Sequence, residues 1–174
     1  MAILGNKTIN YNVYDRSNGK PEIVGDTTSY KRPSLEMLTD TLKGSGIMGE
    51  IDMPSLGQIG AMESEIALKR TNPKAIELFG QKQHDLEVRW ATDELDSATG
   101  KLQVVANKDI IRGFTKKLDL GSVETNTANE GTLTFEVTYL QHISNGVSLI
   151  EIDKLNSVLK IGGVDYSATI REAL

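Results

Sequence analysis

Three glycines in the first third of the chain form the pattern G-x-G-x-x-G, which in dinucleotide-binding proteins wraps the backbone around a pyrophosphate. They are Gly44, Gly46 and Gly49. That chemistry needs a helix that begins at the glycines, because its first amides face the phosphate oxygens. Pro54 and Gly57 follow at once and interrupt any such helix. The pattern therefore favours a glycine-rich connection over a nucleotide site.

Carboxylates between residues 85 and 96 are the second candidate for chemistry. Paired carboxylates carry out acid–base catalysis in glycosidases. The cluster consists of Asp85, Glu87, Asp93, Glu94 and Asp96. Its last three members lie where a strand nears a predicted turn, and runs of charge in such places are usually solvated. We interpret the cluster as an acidic rim rather than a catalytic pair.

The remaining reactive residue types do not converge on a site. His84 and His142 lie in no ligand spacing typical of a metal centre, and both are predicted to be surface or strand-edge residues. The chain has no cysteine, which excludes disulfides, thiolate metal sites and thiol catalysis. No G-x-S-x-G nucleophile elbow is present. We therefore predict no catalytic residue, no cofactor and no metal, and we do not expect an enzyme.

Length and composition indicate an ordinary globular protein. The chain has 174 residues, 39% hydrophobic and 25% charged, which suggests a single domain over residues 1–174. Its net charge is −5 and its pI is about 5.1, so no basic field attracts nucleic acid. We expect neither a signal peptide nor a membrane anchor, since no run approaches the roughly 18 apolar residues of a membrane span.

Alternating patterns predict a mainly β fold. Residues 132–140 place Leu133, Phe135, Val137 and Tyr139 on one face and threonines and Glu136 on the other. The pair Asn145–Gly146 then predicts a tight primed turn, and residues 147–153 supply the returning strand.

A second hairpin is predicted upstream. Leu86, Val88 and Trp90 alternate with charged residues, residues 96–100 have turn chemistry, and residues 102–111 form the return strand. Residues 62–68 alternate as well.

Helical signals are few. Asn72 is a good N-cap before Pro73, with an apolar stripe of Ala75, Ile76 and Phe79 and an end at Gly80. Residues 166–174 are consistent with one more short helix. For residues 34–43 the spacing of leucines fits a helix whereas the threonines favour a strand, so the residues alone leave both open.

The segment Gly44–Gly60 is predicted to be a long loop with an unusual content. Its apolar residues are Ile47, Met48, Ile51, Met53, Leu56 and Ile59. A loop in solvent has little use for so many apolar side chains. We therefore expect a docking element that is mobile in the free subunit, with the inter-subunit contact made by Gly44, Gly46, Ile47, Met48, Gly49, Ile51, Met53 and Leu56.

Three stretches resemble the major tail tube proteins of contractile-tailed phages and R-type bacteriocins. Residues 43–49 are similar to that family's glycine-methionine-glycine segment, and residues 62–80 to its strand and short helix. Residues 149–165, which include Glu151-Ile-Asp153 and Gly163-Val-Asp165, carry the most specific likeness. The order and spacing of these stretches carry the resemblance, and it favours a strand for residues 34–43.

The resemblance implies an antiparallel β-sandwich or barrel-like core with a short flanking helix and a long extended loop. Subunits would form homo-hexameric rings that stack into a tube inside a contractile sheath, in a virion tail or bacteriocin particle assembled in the bacterial cytoplasm. The implied partners are further copies of the chain, the tail sheath protein, the tape measure protein and a baseplate or tube initiator. In a phage, DNA would pass through the lumen without tight binding. Candidates for the lumen wall are Glu87, Asp93, Glu94 and Asp96.

Two other functions remain compatible with the sequence. One is a tube protein of the type VI secretion kind, which the C-terminal stretch fits less well. The other is a small β-sandwich that binds a ligand such as a carbohydrate. Such a module needs an aromatic platform, yet aromatic residues make up 5% of the chain and Trp90 is the single tryptophan.

Overall fold

The computed structural model describes residues 3–174, and most of them lie in β-strands. In chain order the elements are β1 (Ile3–Asp15), β2 (Glu22–Ile23), β3 (Thr27–Lys31), β4 (Met37–Leu42), β5 (Ile51–Ile59), β6 (Glu63–Leu68), α1 (Pro73–Glu77), β7 (His84–Asp96), β8 (Leu102–Asp119), β9 (Gly131–Ser144), β10 (Val147–Asp153), β11 (Val158–Ile161), β12 (Val164–Asp165) and α2 (Ala168–Ala173). The predicted mainly β fold with short helices is confirmed.

The strands form one large antiparallel sheet and one separate hairpin. The main path runs β12-β11-β10-β9-β8-β7-β1-β2. One edge of β9 carries β6 along residues 131–136 and β10 along residues 139–144, so two groups of strands diverge from it. Strand β3 pairs with the free side of β6. Among the described residues, the strands β4 and β5 pair only with each other.

The core follows the alternation of the strands and then departs from it at a bulge. Leu133, Phe135 and Val137 are buried as predicted. Between Val137 and Tyr139 the strand β9 has an extra residue, Thr138, relative to β8. The bulge reverses the alternation, so Leu140 is buried and Tyr139 lies on the opposite face. The prediction for Tyr139 is therefore wrong.

Both predicted hairpin turns are confirmed. Asn145 and Gly146 have φ angles of 48° and 82°, as a primed two-residue turn requires. The turn between β7 and β8 is closed by a bond from the Gly100 amide to the Asp96 carbonyl at 2.8 Å. The return strand β8 runs to Asp119, well past the predicted end at residue 111.

The first helix is capped as predicted but buries different residues. The Asn72 side chain accepts a hydrogen bond from the Ala75 amide at 2.8 Å, and proline opens the helix. Ala75 and Leu78 are fully buried, whereas Ile76 and Phe79 are half exposed. After Glu77 the backbone hydrogen bonds join residues three apart, as in a 3-10 turn, rather than four apart. The buried side of the segment therefore differs from the one that α-helical spacing predicts.

Candidate functional site: the exposed hairpin

The hairpin of β4 and β5 is largely exposed. The connection predicted over Gly44–Gly60 is shorter than expected, because residues 51–59 form β5 and residues 37–42 form β4. Every residue of β4 is exposed. A two-stranded sheet without a covering layer is marginally stable in water. The body of the protein must therefore hold it, or a partner must cover it.

One face of the hairpin is mainly apolar, with Asp40 among its apolar residues, and the other is polar. The register pairs Leu42 with Ile51 and Asp40 with Met53, so Leu42, Ile51 and Met53 share a face with Leu38. Each of these four apolar side chains is about half exposed. The opposite face includes Thr41, whose hydroxyl donates to Asp52 at 2.9 Å. We call Leu38, Leu42, Ile51 and Met53 the hairpin stripe.

The tip of the hairpin contains the glycine pattern, and it does not have the geometry of a nucleotide site. Gly46 and Gly49 have φ angles of 89° and 96°, which favour glycine. A strand, β5, follows the glycines in place of the helix that a pyrophosphate needs. Met48 lies between them with its side chain fully in solvent. Leu56, further along β5, has 65% of its surface exposed.

The base of the hairpin packs on the C-terminal helix. Gly57 has a φ angle of 67°, and a β-carbon there would lie 2.6 Å from Cδ1 of Ile170 and 3.0 Å from Oγ of Ser167. Arg171 in the same helix donates to the Asp165 carboxylate and to the Ser157 carbonyl. The bond from Arg171 lowers the pKa of Asp165 and anchors the helix on the open end of the β11–β12 hairpin. The C-terminal stretch therefore supports the hairpin.

The acidic residues of β7 do not form one surface. The register of β7 against β8 has no shift, so its side chains alternate strictly between two faces. Glu87 and Asp93 occupy one face, and Glu94 and Asp96 occupy the other. The Asp96 carboxylate is also engaged within its own turn. It accepts hydrogen bonds from the Thr99 hydroxyl and the Ala98 amide, and these bonds lower its pKa.

Glu87 departs most from the predicted acidic rim. Its side chain is 4% exposed and is paired with Arg16 and Arg89. Arg89 in turn lies over the Tyr14 ring, 4.8 Å from its centre. A carboxylate that is buried and neutralised by two guanidinium groups adds no negative potential to a channel. Glu87 is therefore not a solvated acid, and the expectation for this residue is wrong.

A model of the family described as phage tail tube protein FII matches residues 6–174, which is nearly the whole chain. The chain belongs to this family. It is 27% identical over 143 residues to the tail tube protein of Escherichia phage P2, and the match covers 81% of this chain and 82% of that protein. The resemblance noted in the sequence is thereby confirmed, and the chain is a structural protein of a contractile tail tube.

The fold has a solved relative in a contractile injection system. It is similar to a chain in the cryo-EM structure of the PVC sheath/tube terminator, from an extracellular contractile injection system in the extended state, with a TM-score of 0.52. The sequence identity is 12%, and the match covers 79% of this chain and 96% of that chain. At this identity the likeness concerns the fold alone.

A buried polar cluster in this tail tube protein was not recognised in the sequence. Asp109 on β8 is fully buried and accepts hydrogen bonds from Arg32 at 2.8 Å, Tyr30 at 3.3 Å and the His142 Nδ1 at 2.7 Å. Burial is the main cause that raises the pKa of Tyr30, which keeps its hydroxyl protonated as a donor. The only signal in the sequence was an aspartate inside an otherwise strand-forming run.

The same cluster explains the position of His142, and a separate contact explains that of His84. His142 lies against Trp90, with ring centres 5.7 Å apart, and Arg32 lies 5.0 Å from the Trp90 ring centre. Trp90 is thus partly buried and packed against His142 and Arg32. His84 is 2% exposed, and its Nε2 lies 3.0 Å from the Gly80 carbonyl. Neither histidine is a surface residue. His142 is paired with both β8 and β10, so the prediction for it is wrong. His84 is the first residue of β7, so only the surface alternative is wrong for it.

Two further observations concern sites and membranes. Among residues 3–174, no three His, Asp or Glu side chains come together as metal ligands would. Within the same residues, neither helix has the length or the apolar content to span a membrane.

Proposed function

We propose that this tail tube protein polymerises into stacked homo-hexameric rings, and that the resulting hollow tube is driven through a target envelope when a surrounding sheath contracts. Each subunit contributes one domain spanning residues 1–174. The observation that carries the proposal is the hairpin stripe, four apolar side chains on one face of a hairpin that the rest of the described chain leaves exposed. Exposed apolar faces of this kind are typical of protein–protein contacts.

The hairpin is the inter-subunit arm in this proposal. Its contact is made by Ile51, Met53 and Leu56 on β5 and by Gly44, Gly46, Ile47, Met48 and Gly49 at the tip. Completing the burial of a half-exposed apolar side chain stabilises a contact by on the order of 1 kcal/mol. The whole arm then contributes roughly 5 kcal/mol, which is at the low end of the 4–15 kcal/mol lost on association. One arm alone holds a neighbour weakly, so growth starts best on a platform that engages several surfaces together.

The ends of the main sheet supply the second kind of contact. The terminal strands β2 and β12 have only two residues each. Short edge strands limit indiscriminate pairing, and closing a ring removes the remaining edges. Contacts between rings are heterologous and extend the tube into a rod. The further partners in this proposal are the tail sheath protein, the tape measure protein and a baseplate or tube initiator.

The channel is proposed to be acidic and to let DNA pass without tight binding if the particle is a phage. The subunit has a net charge of −5, and a hexameric ring has six times that charge. Glu87 is not part of the proposed lumen wall, because its side chain is buried. Side chains alternate along β7, so Asp93 lies on the opposite face from Glu94 and Asp96. The lumen wall therefore contains either Asp93 or the pair of Glu94 and Asp96. Tight DNA binding by assembled tubes at moderate salt would contradict this part.

The arm is tested by placing a charge on each face of the hairpin. Met53→Asp introduces a carboxylate into the hairpin stripe, and Met48→Asp does so at the tip. Each should abolish tube formation in sedimentation and electron microscopy, because an unpaired charge in the contact costs several kcal/mol. Thr39→Asp adds the same charge to the polar face and should assemble normally. Normal tubes from Met53→Asp, or unfolding of its monomer by circular dichroism, would contradict the assignment.

A further inference from the structure

In the described residues, the connection between β3 and β4 is hydrogen-bonded to the main sheet through one side chain. Strand β3 ends at Lys31, which makes its last pairing with Glu65, and β4 begins at Met37. Pro33 in the connection has no N–H to donate. Among the side-chain hydrogen bonds of the described residues, those that join residues 32–36 to the main sheet all come from Arg32. Arg32 is therefore the side chain that hydrogen-bonds this connection to the main sheet.

The partner of Arg32 is fixed in place. The guanidinium group donates to both carboxylate oxygens of Asp109, at 2.8 Å and 3.3 Å. Asp109 has no exposed surface, and it is held from β3 by Tyr30 and from β9 by His142. Bidentate pairs of this type restrict direction as well as distance. The Trp90 ring beneath the guanidinium restricts it further.

The β5 side of the hairpin has a different contact, which can serve as a pivot. Gly57 packs against Ile170 of α2 and against Ser167, which precedes that helix. The two sides of the hairpin are joined by a bond from the Gly60 amide to the Glu36 carbonyl at 2.8 Å. The Gly57 contact is apolar packing without a directional bond. Losing the Arg32 contact would leave the hairpin attached but able to rotate about its base.

We propose that Arg32 and Asp109 form a latch that sets the direction in which the β4–β5 hairpin leaves the body of the free subunit. The length of the hairpin amplifies a small change at the latch. A strand rises about 3.3 Å per residue, so the eight steps of β5 span about 26 Å, and a rotation of about 10° at the base moves the far end by about 5 Å. Presenting the hairpin in one direction lowers the entropy lost when a second copy binds. That last consequence rests on the proposed function, whereas the latch itself does not.

The latch is tested by distance measurements on the monomer. The chain has no native cysteine, so Ser45→Cys at the hairpin tip and Lys82→Cys on the body, both exposed, accept two spin labels. Pulsed electron paramagnetic resonance at low protein concentration then reports the distribution of distances between tip and body. Arg32→Gln removes the positive charge and the bidentate bond. Arg32→Lys keeps the charge and should restore the mean distance with an intermediate width.

Arg112→Gln is the matched control. Arg112 has nearly the same exposure as Arg32, is paired with Asp85 at 3.4 Å and lies 4.6 Å from the Tyr139 ring centre, but it has no connection to the hairpin. We expect Arg32→Gln to broaden and shift the distribution and Arg112→Gln to leave it unchanged. Equal distributions in Arg32→Gln and the parent, or equal broadening in both variants, would overturn the latch.

Two further readouts separate the latch from folding and from assembly. Amide exchange in the β6–β9 ladder should be unchanged in Arg32→Gln, and a loss of protection there would overturn the latch by showing that Arg32 holds the fold. Tube formation by the unlabelled parent chain is recorded separately. A released hairpin in Arg32→Gln together with a parent that never polymerises would refute the proposed function and leave the latch standing.

Discussion

Replacing Gly57 by alanine adds one atom, the β-carbon, to the contact between the hairpin and α2. Gly57 has a φ angle of 67°, and the new β-carbon would lie 2.6 Å from Cδ1 of Ile170. A left-handed conformation costs an alanine about 1–2 kcal/mol. Overpacking of this kind costs a further 1–3 kcal/mol or so. We therefore expect Gly57→Ala to lower the free energy of unfolding by about 2–5 kcal/mol if the contact is retained.

The two contributions are separated by a control at a second glycine. Gly100 has a φ angle of 66°, and no atom lies within 4 Å of the β-carbon it would gain. Gly100→Ala therefore carries the conformational cost alone. Urea unfolding followed by the fluorescence of Trp90 gives both free energies, and their difference should be about 1–3 kcal/mol. The double variant with Ile170→Ala should recover part of that difference.

The molecule has an alternative way to relieve the clash, which is to detach α2. In that case the loss of global stability is smaller, and amide exchange over Ala168–Ala173 becomes faster in Gly57→Ala but not in Gly100→Ala. Equal unfolding free energies in the two variants, combined with unchanged exchange in α2, would refute the packing of the hairpin base on this helix.

Three further predictions concern the body of the protein. Burial acts to raise the pKa of Asp15, but hydrogen bonds from Ser17 and Lys74 outweigh it, so the pKa is lowered. The stability that Asp15 contributes should be complete above its pKa in the unfolded chain, about 3.9, and should be lost as the pH falls through its lower pKa in the folded protein. Asp15→Asn should therefore flatten the dependence of the urea midpoint on pH. Glu87→Ala leaves Arg16 and Arg89 without their shared carboxylate and should cost about 1–3 kcal/mol in urea unfolding, and a loss below about 0.5 kcal/mol would contradict its buried pairing. Gly113→Ala places a β-carbon 2.0 Å from the Glu136 carbonyl oxygen at the β9 bulge, so circular dichroism should show no native sheet.

Local chemistry made much of the fold predictable. The alternation of Leu133, Phe135 and Val137, the Asn145–Gly146 turn and the Asn72 cap all depend on neighbours in the sequence, and all are confirmed. The bulge at Thr138 is different, because it depends on a pairing with β8 more than twenty residues away. No local pattern marks the point at which the alternation reverses.

The candidate site was predictable in location and not in form. The concentration of apolar residues in Gly44–Gly60 indicated a docking element, whereas Pro54 and Gly57 were interpreted only as residues that interrupt a helix. An exposed edge tolerates proline because the missing N–H would face solvent. The burial of Asp109 and Glu87 could not be foreseen, because the arginines Arg32 and Arg16 that neutralise them are more than seventy residues away in sequence.

Electron microscopy of the purified chain at increasing concentration, with sedimentation of the same samples, tests the central claim most directly. The account predicts sixfold rings stacked into hollow tubes, with the β4–β5 hairpin of each subunit covered by a neighbour. A species that stays monomeric at every concentration and in several salts would contradict it. So would tubes in which the hairpin stripe of Leu38, Leu42, Ile51 and Met53 remains in solvent.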